Sequence, residues 1–301
     1  MAQSSDSDRF GATYSLDGKN IPRYLYRYRS ADTPYFEDEL INLKNGKIYL
    51  SSSRDLNDPY DCNPVVEISS LAEFRNAVRD YGDGRYLAAR RRSFDDRLLK
   101  IVRRRTKATK SFTKSLTRNV ATMVRYDFAA ATKLIQSNDF KTFYVASLSE
   151  RELDPLMWAY YAANFSGICI KYSVSATVVD RDNPDIPIPV TYQVKRPTVT
   201  SFNVFRNSIM ARMDDKLGSS ELVDKLLFTK SECWRHEAEW RFAFPRSYGA
   251  GYRKFPSLKP AEIIAGPRMS KENRQKLEKH APIPVINLKL SNDNYILRQE
   301  A

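Results

Sequence analysis

Glu237 and Glu239 are the residues of this chain with the clearest capacity for chemistry. They stand two apart in Trp234-Arg235-His236-Glu237-Ala238-Glu239-Trp240-Arg241, and the run from Glu237 to Phe244 reads as a strand. Side chains alternate across a strand, so Glu237, Glu239 and Arg241 are expected on one face and Trp240, Phe242 and Phe244 on the other. Two carboxylates on one face repel, which costs stability unless a cation or a substrate makes use of them. The plainer alternative is an edge-strand ladder in which they pair with Arg235 and Arg241, each pair worth ~0.5 kcal/mol. Asp58 and Asp61, in the turn-rich Asn57-Asp58-Pro59-Tyr60-Asp61-Cys62-Asn63-Pro64, are weaker acidic candidates, because turn chemistry alone accounts for them.

Rival chemistries are poorly supplied. His236 and His280 are the only histidines, which leaves few ligands for zinc and little for serine–histidine catalysis. Cys62, Cys169 and Cys233 are odd in number and in no metal-ligand spacing, so they read as buried reduced thiols. A metal-dependent nuclease would need Asp58, Asp61 and the two glutamates to converge from separate segments. There is no Walker-type glycine loop and no Gly-x-Gly-x-x-Gly fingerprint, which argues against a Rossmann or P-loop nucleotide domain.

The net charge of +13 is unevenly placed. Residues 85–125 hold fourteen Lys and Arg against Asp95 and Asp96, so nearly all of the excess sits in one segment. Such a run is most often a solvated helical face, but an excess of one sign this large suggests a polyanionic partner, nucleic acid ahead of a membrane surface. Arg91, Arg92, Arg103, Arg104, Arg105, Lys107 and Lys110 are the expected contacts. No apolar run is long enough to cross a bilayer, and the polar start of the chain has no apolar core, so a cytoplasmic protein is expected.

The elements that must position these residues follow from pattern. Pro22 to Arg29 alternates, with Leu25, Arg27 and Arg29 on one face and Tyr24, Tyr26 and Tyr28 on the other. A short helix over Phe36 to Leu43 ends at Asn45-Gly46, and Lys47 to Leu50 reads as a strand. Residues 71–136 are helical in pattern, with apolar stripes at Leu87, Phe94, Leu98, Ile101 and Val102 and at Ala108, Phe112, Leu116, Val120, Val124 and Phe128. Lys141 to Ser149 is a strand, Pro155 to Ala162 an aromatic helix opened by proline, and Gly167 to Tyr172 and Pro189 to Val194 are strands. Helix returns over Phe202 to Lys230 with a break at Gly218, and closing strands at Ile263 to Gly266 and Pro284 to Leu290 flank a helix over Ser270 to Lys279.

Several of these pieces resemble one family. Leu25-Tyr26-Arg27-Tyr28-Arg29, Asn45-Gly46-Lys47-Ile48-Tyr49-Leu50-Ser51-Ser52 and Asn57-Asp58-Pro59-Tyr60-Asp61-Cys62 resemble the opening blocks of the bacterial family labelled domain of unknown function 2971. Ser147-Leu148-Ser149, Leu156-Met157-Trp158-Ala159-Tyr160-Tyr161-Ala162, Gly167-Ile168-Cys169-Ile170 and Trp234 to Arg241 resemble its later blocks, so the similarity spans roughly residues 22 to 270. Family members tend to have a histidine where this chain has Tyr160 and another near Phe165, so a role for those histidines does not carry over.

The family is in turn similar to the ADP-ribosyltransferase-like fold, whose site draws an Arg or His from the first strand, a Ser or Tyr from a middle strand and a Glu from a late strand. The resemblance implies an α+β protein with a split mixed β-sheet of that type and a basic helical insertion. Its expected organisation is a flexible tail over residues 1–21 and one domain over 22–301, with the insertion at about 71–136. The co-substrate implied is NAD. Glu239 would stabilise the positive charge that builds on the ribose as the nicotinamide bond breaks, and Glu237 would orient or deprotonate the acceptor. Arg27 would grip the pyrophosphate, with Tyr28, Ser147 and Ser149 in the NAD-binding set and Tyr161 or Trp158 stacked on nicotinamide. The implied function is an NAD-dependent ADP-ribosyltransferase-like enzyme modifying nucleic acid or an associated target in a toxin or phage-defence role. The residues by themselves also allow a non-enzymatic nucleic-acid-binding protein, in which the basic hairpin binds and the α+β body is scaffold.

Overall fold

The computed structural model of the chain describes residues 15–16, 19–80, 110–137, 142–175, 185–210 and 220–300. Its first half runs β1 (Ser15–Leu16), β2 (Lys19–Asn20), β3 (Tyr24–Arg29), α1 (Phe36–Lys44), β4 (Lys47–Ser52), β5 (Val65–Glu67), α2 (Leu71–Asp80), α3 (Lys110–Ser137) and β6 (Phe143–Ser149). Next come α4 (Pro155–Tyr161), β7 (Ile168–Val174), β8 (Ile188–Pro189), β9 (Thr191–Gln193), β10 (Thr198–Thr200), α5 (Ser201–Met210), α6 (Ser220–Leu227) and β11 (Thr229–Ser231). The chain closes with β12 (Glu239–Pro245), β13 (Gly251–Lys254), β14 (Leu258–Ala265), α7 (Lys271–His280), β15 (Val285–Leu290) and β16 (Leu297–Gln299). The protein is thus α+β with a mixed sheet. It divides into two compact units, Met1–Leu56 with Phe143–Tyr192 and Glu232–Ala301, and Asn57–Thr142 with Gln193–Ser231.

The first unit is built on a ten-stranded sheet of order β13-β4-β6-β3-β7-β14-β15-β16, with β12 paired to β6 and β8 paired to β12. β14 and β15 pair in parallel, a geometry that needs a long crossover, and α7 supplies it. The alternation of β3 is realised as two apolar layers. Leu25 packs with Ile168, Ile170 and Tyr172 of β7, Trp240 and Phe242 of β12, and Leu40 and Leu277 of α1 and α7. Tyr26 and Tyr28 pack on the other side with Cys169, Ile264, and Met157 and Trp158 of α4.

The sheet forks at β6. Along one edge β6 pairs with β12 over its whole length. Along the other, Ser149 pairs with Tyr26 of β3, while Val145 and Tyr144 pair with Ser51 and Ser52 of β4. Arg27 bridges the opening, its guanidinium donating to the carbonyls of Tyr49 at 2.8 Å and Ser147 at 3.5 Å. A side chain there takes up backbone acceptors that the divided ladder leaves over.

A tight corner follows α4. Ala163, Asn164 and Phe165 have φ of 46°, 53° and 71°, a left-handed run that turns the chain back into β7. Gly167 passes so close to the carbonyl of Arg29 that any Cβ would collide with it, which is why glycine stands there.

In the second unit β5 and β10 form a parallel pair, and Phe74 of α2 centres an apolar cluster with Phe128 of α3 and Phe202 and Phe205 of α5. Ser70 and Glu73 close a reciprocal capping box at the start of α2. The expected stripe along the second basic helix is borne out at Val124 and Phe128, which pack into this core. Leu87, Phe94, Leu98, Ile101, Val102 and Ala108 lie outside the described residues, as do Arg91, Arg92, Arg103, Arg104, Arg105 and Lys107; Lys110 opens α3, with its side chain outside the description.

Two expectations about the first unit change. Part of the stretch expected as a flexible tail is structured: Ser15–Leu16 and Lys19–Asn20 pair antiparallel, and Leu16 is buried against Ile186. Glu237 is not in a strand. It ends a 3-10 turn over Glu232–Glu237, and Ala238, with φ of 45°, breaks the alternation before β12 begins at Glu239.

Candidate active site

The loop from Ser149 to Asp154 and α4 carry one wall of the site. Asp154 caps α4 by accepting from the Leu156 N–H at 2.8 Å, and Pro155 takes the first helical turn, where its missing N–H costs nothing. This sets Trp158 inward, fully buried, with its indole N–H donating to the Glu152 carbonyl at 3.1 Å. Tyr161, on the last turn, donates its hydroxyl to Glu237 Oε1 at 2.5 Å. Ser149 ties the same wall together, donating to the Glu237 carbonyl at 2.5 Å and accepting from the Arg151 N–H at 2.9 Å.

Glu237 and Glu239 are both deeply buried, at 3% exposure each. Their partners differ. Glu239 is clamped by Arg241, whose Nε donates to Oε1 at 2.9 Å and whose terminal nitrogen donates to Oε2 at 2.9 Å. The backbone N–H of Glu239 donates to the Tyr192 hydroxyl oxygen at 2.8 Å. The ladder alternative is therefore half right: Glu239 and Arg241 do pair, but inside a strand flanked by β6 and β8 and sealed from solvent, while Arg235 pairs with Glu232.

Strand register decides which of the expected residues meet. Glu239 stands opposite Ser149, Ser149 opposite Tyr26, Tyr26 opposite Lys171 and Lys171 opposite Glu262, so these five form one polar row across β12, β6, β3, β7 and β14. Ser147 is the register partner of Arg241 and shares that face. Arg27 is the partner of Ile170 and lies on the opposite face, with Leu25. The partnership expected between Arg27 and Glu239 thus does not form, because residues of odd and even number on β3 face opposite ways. Tyr28 is on the face of Glu239 but in its core, edge-on to Trp158 at 5.4 Å, with its hydroxyl on the carbonyls of Arg151 and Glu152. Trp158, expected to stack on a ligand, is likewise a core residue.

Electrostatics separate the two faces further. Burial lowers the Arg27 guanidinium below its ordinary value, and the charge of Arg29 adds to this. Burial opposes the charge of Lys171 too, but the hydrogen bond and charge of Glu262 at 2.9 Å outweigh it and hold the ammonium above its usual range. Burial raises the Tyr26 hydroxyl, with the charge of Glu152 and a 3.3 Å hydrogen bond to it. Glu152, Glu237, Glu239 and Glu262 face Lys171 and Arg241 here, so acidic charge prevails among these groups.

Residues that pattern alone passes over complete the site. Trp234, on the turn before Glu237, has its ring centroid 6.0 Å from Tyr160, which in turn is 6.5 Å from Tyr161. Tyr160 is 59% exposed. It stands on α4 beside Met157 and Trp158, which are both buried, and Lys171 and Tyr192 enter only through the register and the loop that bring them in. Cys62 and Cys169 are buried as expected, but Cys233, beside Trp234, is exposed. Among the described residues no three His, Cys, Asp or Glu side chains gather as metal donors. Asp58 and Asp61 belong to the second unit, where Asp61 pairs with buried Lys230 at 3.6 Å. No helix among the described residues is long and apolar enough to cross a membrane.

Residues 157–242 match the family described as Protein of unknown function (DUF2971). The resemblance first drawn on short motifs is therefore shown for this stretch, which runs from α4 to β12 and contains Tyr160, Tyr161, Lys171, Tyr192, Trp234 and Glu237 to Arg241. No curated protein and no solved structure gives a significant match.

Proposed function

We propose that the chain is an ADP-ribosyltransferase-like enzyme that breaks the nicotinamide–ribose bond of NAD beside Glu237. The observation that carries this is a desolvated carboxylate held by Tyr161 at 2.5 Å, next to half-exposed aromatic rings on an acidic face. Bond cleavage sends the electron pair to nicotinamide and leaves positive charge on the ribose. A carboxylate fixed in a site of low dielectric stabilises that charge most in the transition state. The acceptor nucleophile then bonds to the ribose carbon and releases its proton to Glu237. Glu239 has a different part from the one the resemblance implies. Clamped by Arg241, it keeps the start of β12 in place and holds its negative charge near the site. With Arg27 on the other face, the prevailing acidic charge suits the cationic nicotinamide end of NAD. A substrate drawn from the intracellular NAD pool fits a cytoplasmic protein.

The test is NAD consumption by the purified protein, with and without single-stranded RNA or DNA. Glu237→Gln is expected to lower turnover by at least about 100-fold, as for removal of one charge-stabilising group. Turnover that survives this change would refute the assignment. The charge of residues 85–125 favours a second function, nucleic-acid binding without catalysis. Reversing Arg103, Arg104 and Arg105 should then weaken binding and reduce its salt dependence, by about 0.9 in slope for each phosphate that the protein ceases to neutralise. An unchanged salt slope would rule out a role for these three arginines in binding.

A further inference from the structure

We infer that Tyr60, Lys195 and Arg196 of the second unit form a contact for single-stranded nucleic acid, with a base stacked on the Tyr60 ring and phosphates beside the two cations. This rests on nucleic-acid binding, the second function proposed above, and adds to it a contact outside the basic run of residues 85–125.

The turn that carries Tyr60 is fixed from within. The Asp58 carboxylate accepts from the Tyr60 N–H at 2.8 Å, the Asp61 N–H donates to the Asp58 carbonyl at 3.1 Å, and the Asn63 side-chain amide donates to the Pro59 carbonyl at 3.1 Å. Tyr60 thus lends the turn its backbone, while its side chain stands 61% exposed. The Arg196 guanidinium lies over the ring, 5.1 Å from its centroid, and is itself anchored by donating to the Asn63 carbonyl. It covers one face only, and the other is left to solvent. A ring and a cation already ordered in this way lose little freedom when a ligand arrives, which makes the contact efficient.

The charge beside the ring is uncompensated. Lys195 and Arg196 are both exposed, and among the described residues neither pairs with a carboxylate. Gln193 steadies their backbone by donating to the Lys195 carbonyl at 2.6 Å. The unit that contains them, residues 57–142 and 193–231, holds twenty-five Lys and Arg against fourteen Asp and Glu, so it carries nearly all of the chain's positive excess. A polyanion is the partner that such a field attracts. The ring decides which polyanion. An acidic protein segment has no flat group to lay on it, and a duplex keeps its bases stacked on one another. An unpaired base offers a free face, and stacking on an aromatic ring with a cation–π contribution from arginine is how single strands are held.

Stacking and charge leave different traces, and the test reads both. Full-length protein is titrated with a fluorescein-labelled single-stranded DNA oligonucleotide, and anisotropy is followed over a range of salt concentrations. Tyr60→Ala should weaken binding about 10-fold, the order that one stacked base contributes, and leave the salt slope unchanged because no phosphate contact is lost. Tyr60→Phe, which keeps the ring, should bind as the natural protein does. Lys195→Gln should lower the slope by about 0.7, the share of one phosphate in a single strand. Both side chains are on the surface, so the variants keep their fold. An affinity indifferent to Tyr60→Ala, an equal loss with the duplex of the same sequence, or the same dependence on Tyr60 for polyglutamate would each overturn the contact. The reversal of Arg103, Arg104 and Arg105 separates its failure from that of the reading beneath it. Binding that responds to the reversal and not to Tyr60→Ala defeats this contact and leaves the basic run standing. Binding that responds to Tyr60→Ala and not to the reversal does the opposite, and a protein that binds no single strand refutes both.

Discussion

Arg27 and Arg241 are both buried in the same sheet, at 5% and 1% exposure, and they are held in opposite ways. Arg241 has a carboxylate, Glu239, in bidentate contact on the face that carries Tyr161 and Glu237. Arg27, on the other face, has backbone carbonyls of two strands, and its Nε has no partner. One is an ion pair that fixes local charge next to a candidate site. The other is a plug in a fork of the sheet. Identical side chains at comparable depth therefore do different work, and the difference comes from which edge of β6 each one meets.

Removing each cation should separate these roles. Arg241→Met takes from buried Glu239 its bidentate partner, and loss of one member of a buried pair costs about 3–5 kcal/mol. Urea unfolding should show that loss, and the double change Glu239→Leu with Arg241→Met should recover most of it, since a hydrophobic pair of similar volume is often no worse than a buried salt bridge. A double variant as unstable as the single one would mean that the ion pair itself holds β12. Arg27→Met should cost less, about 1–3 kcal/mol for carbonyls left without donors, and should spare any NAD turnover. A loss of turnover with little loss of stability would restore Arg27 to the site despite its face.

How much of this was legible follows from the range of the interactions involved. The alternation of Tyr24–Arg29 is local, and the structure keeps it: tyrosines on one side, Leu25 and Arg27 on the other. Which of those sides meets Glu239 depends on the single pairing of Tyr26 with Ser149, between strands far apart in sequence, and no periodicity encodes it. Glu237 was found by type and misplaced by geometry, because an alanine at φ of 45° carries no mark in the sequence. Helix 155–162 was legible from Pro155 and its aromatic spacing, but Trp158, expected to stack on a ligand, turns inward while Tyr160 is exposed. A capping aspartate decides which of them turns inward, and that depends on where the helix starts to within one residue.

The smallest expected effect is a slow loss of stability in alkali, and it too distinguishes the faces. On the Glu237 side, burial raises the Cys169 thiol and the Tyr26 and Tyr28 hydroxyls above their ordinary values, and Glu262 raises Lys171 against the effect of burial. On the Arg27 side, burial raises Tyr172 and Tyr252. Each group keeps its proton in the fold at a pH where the unfolded chain has begun to release it. The unfolded state then binds fewer protons, so stability falls as pH rises. The contribution is complete below about pH 8.5, where an unfolded thiol starts to ionise, and declines more steeply above about pH 10, where unfolded tyrosine and lysine follow. Melting followed by circular dichroism from neutral pH to about pH 11 should show this decline. Tyr28→Phe should flatten it more than Tyr252→Phe, because Tyr28 is 8% exposed and sits on two carbonyls, whereas Tyr252 is only partly buried and bonds Glu39 at 3.3 Å. A Tm that stays level through this range, or equal flattening by both changes, would mean that the tyrosine layer under α4 is more open to water than its packing indicates.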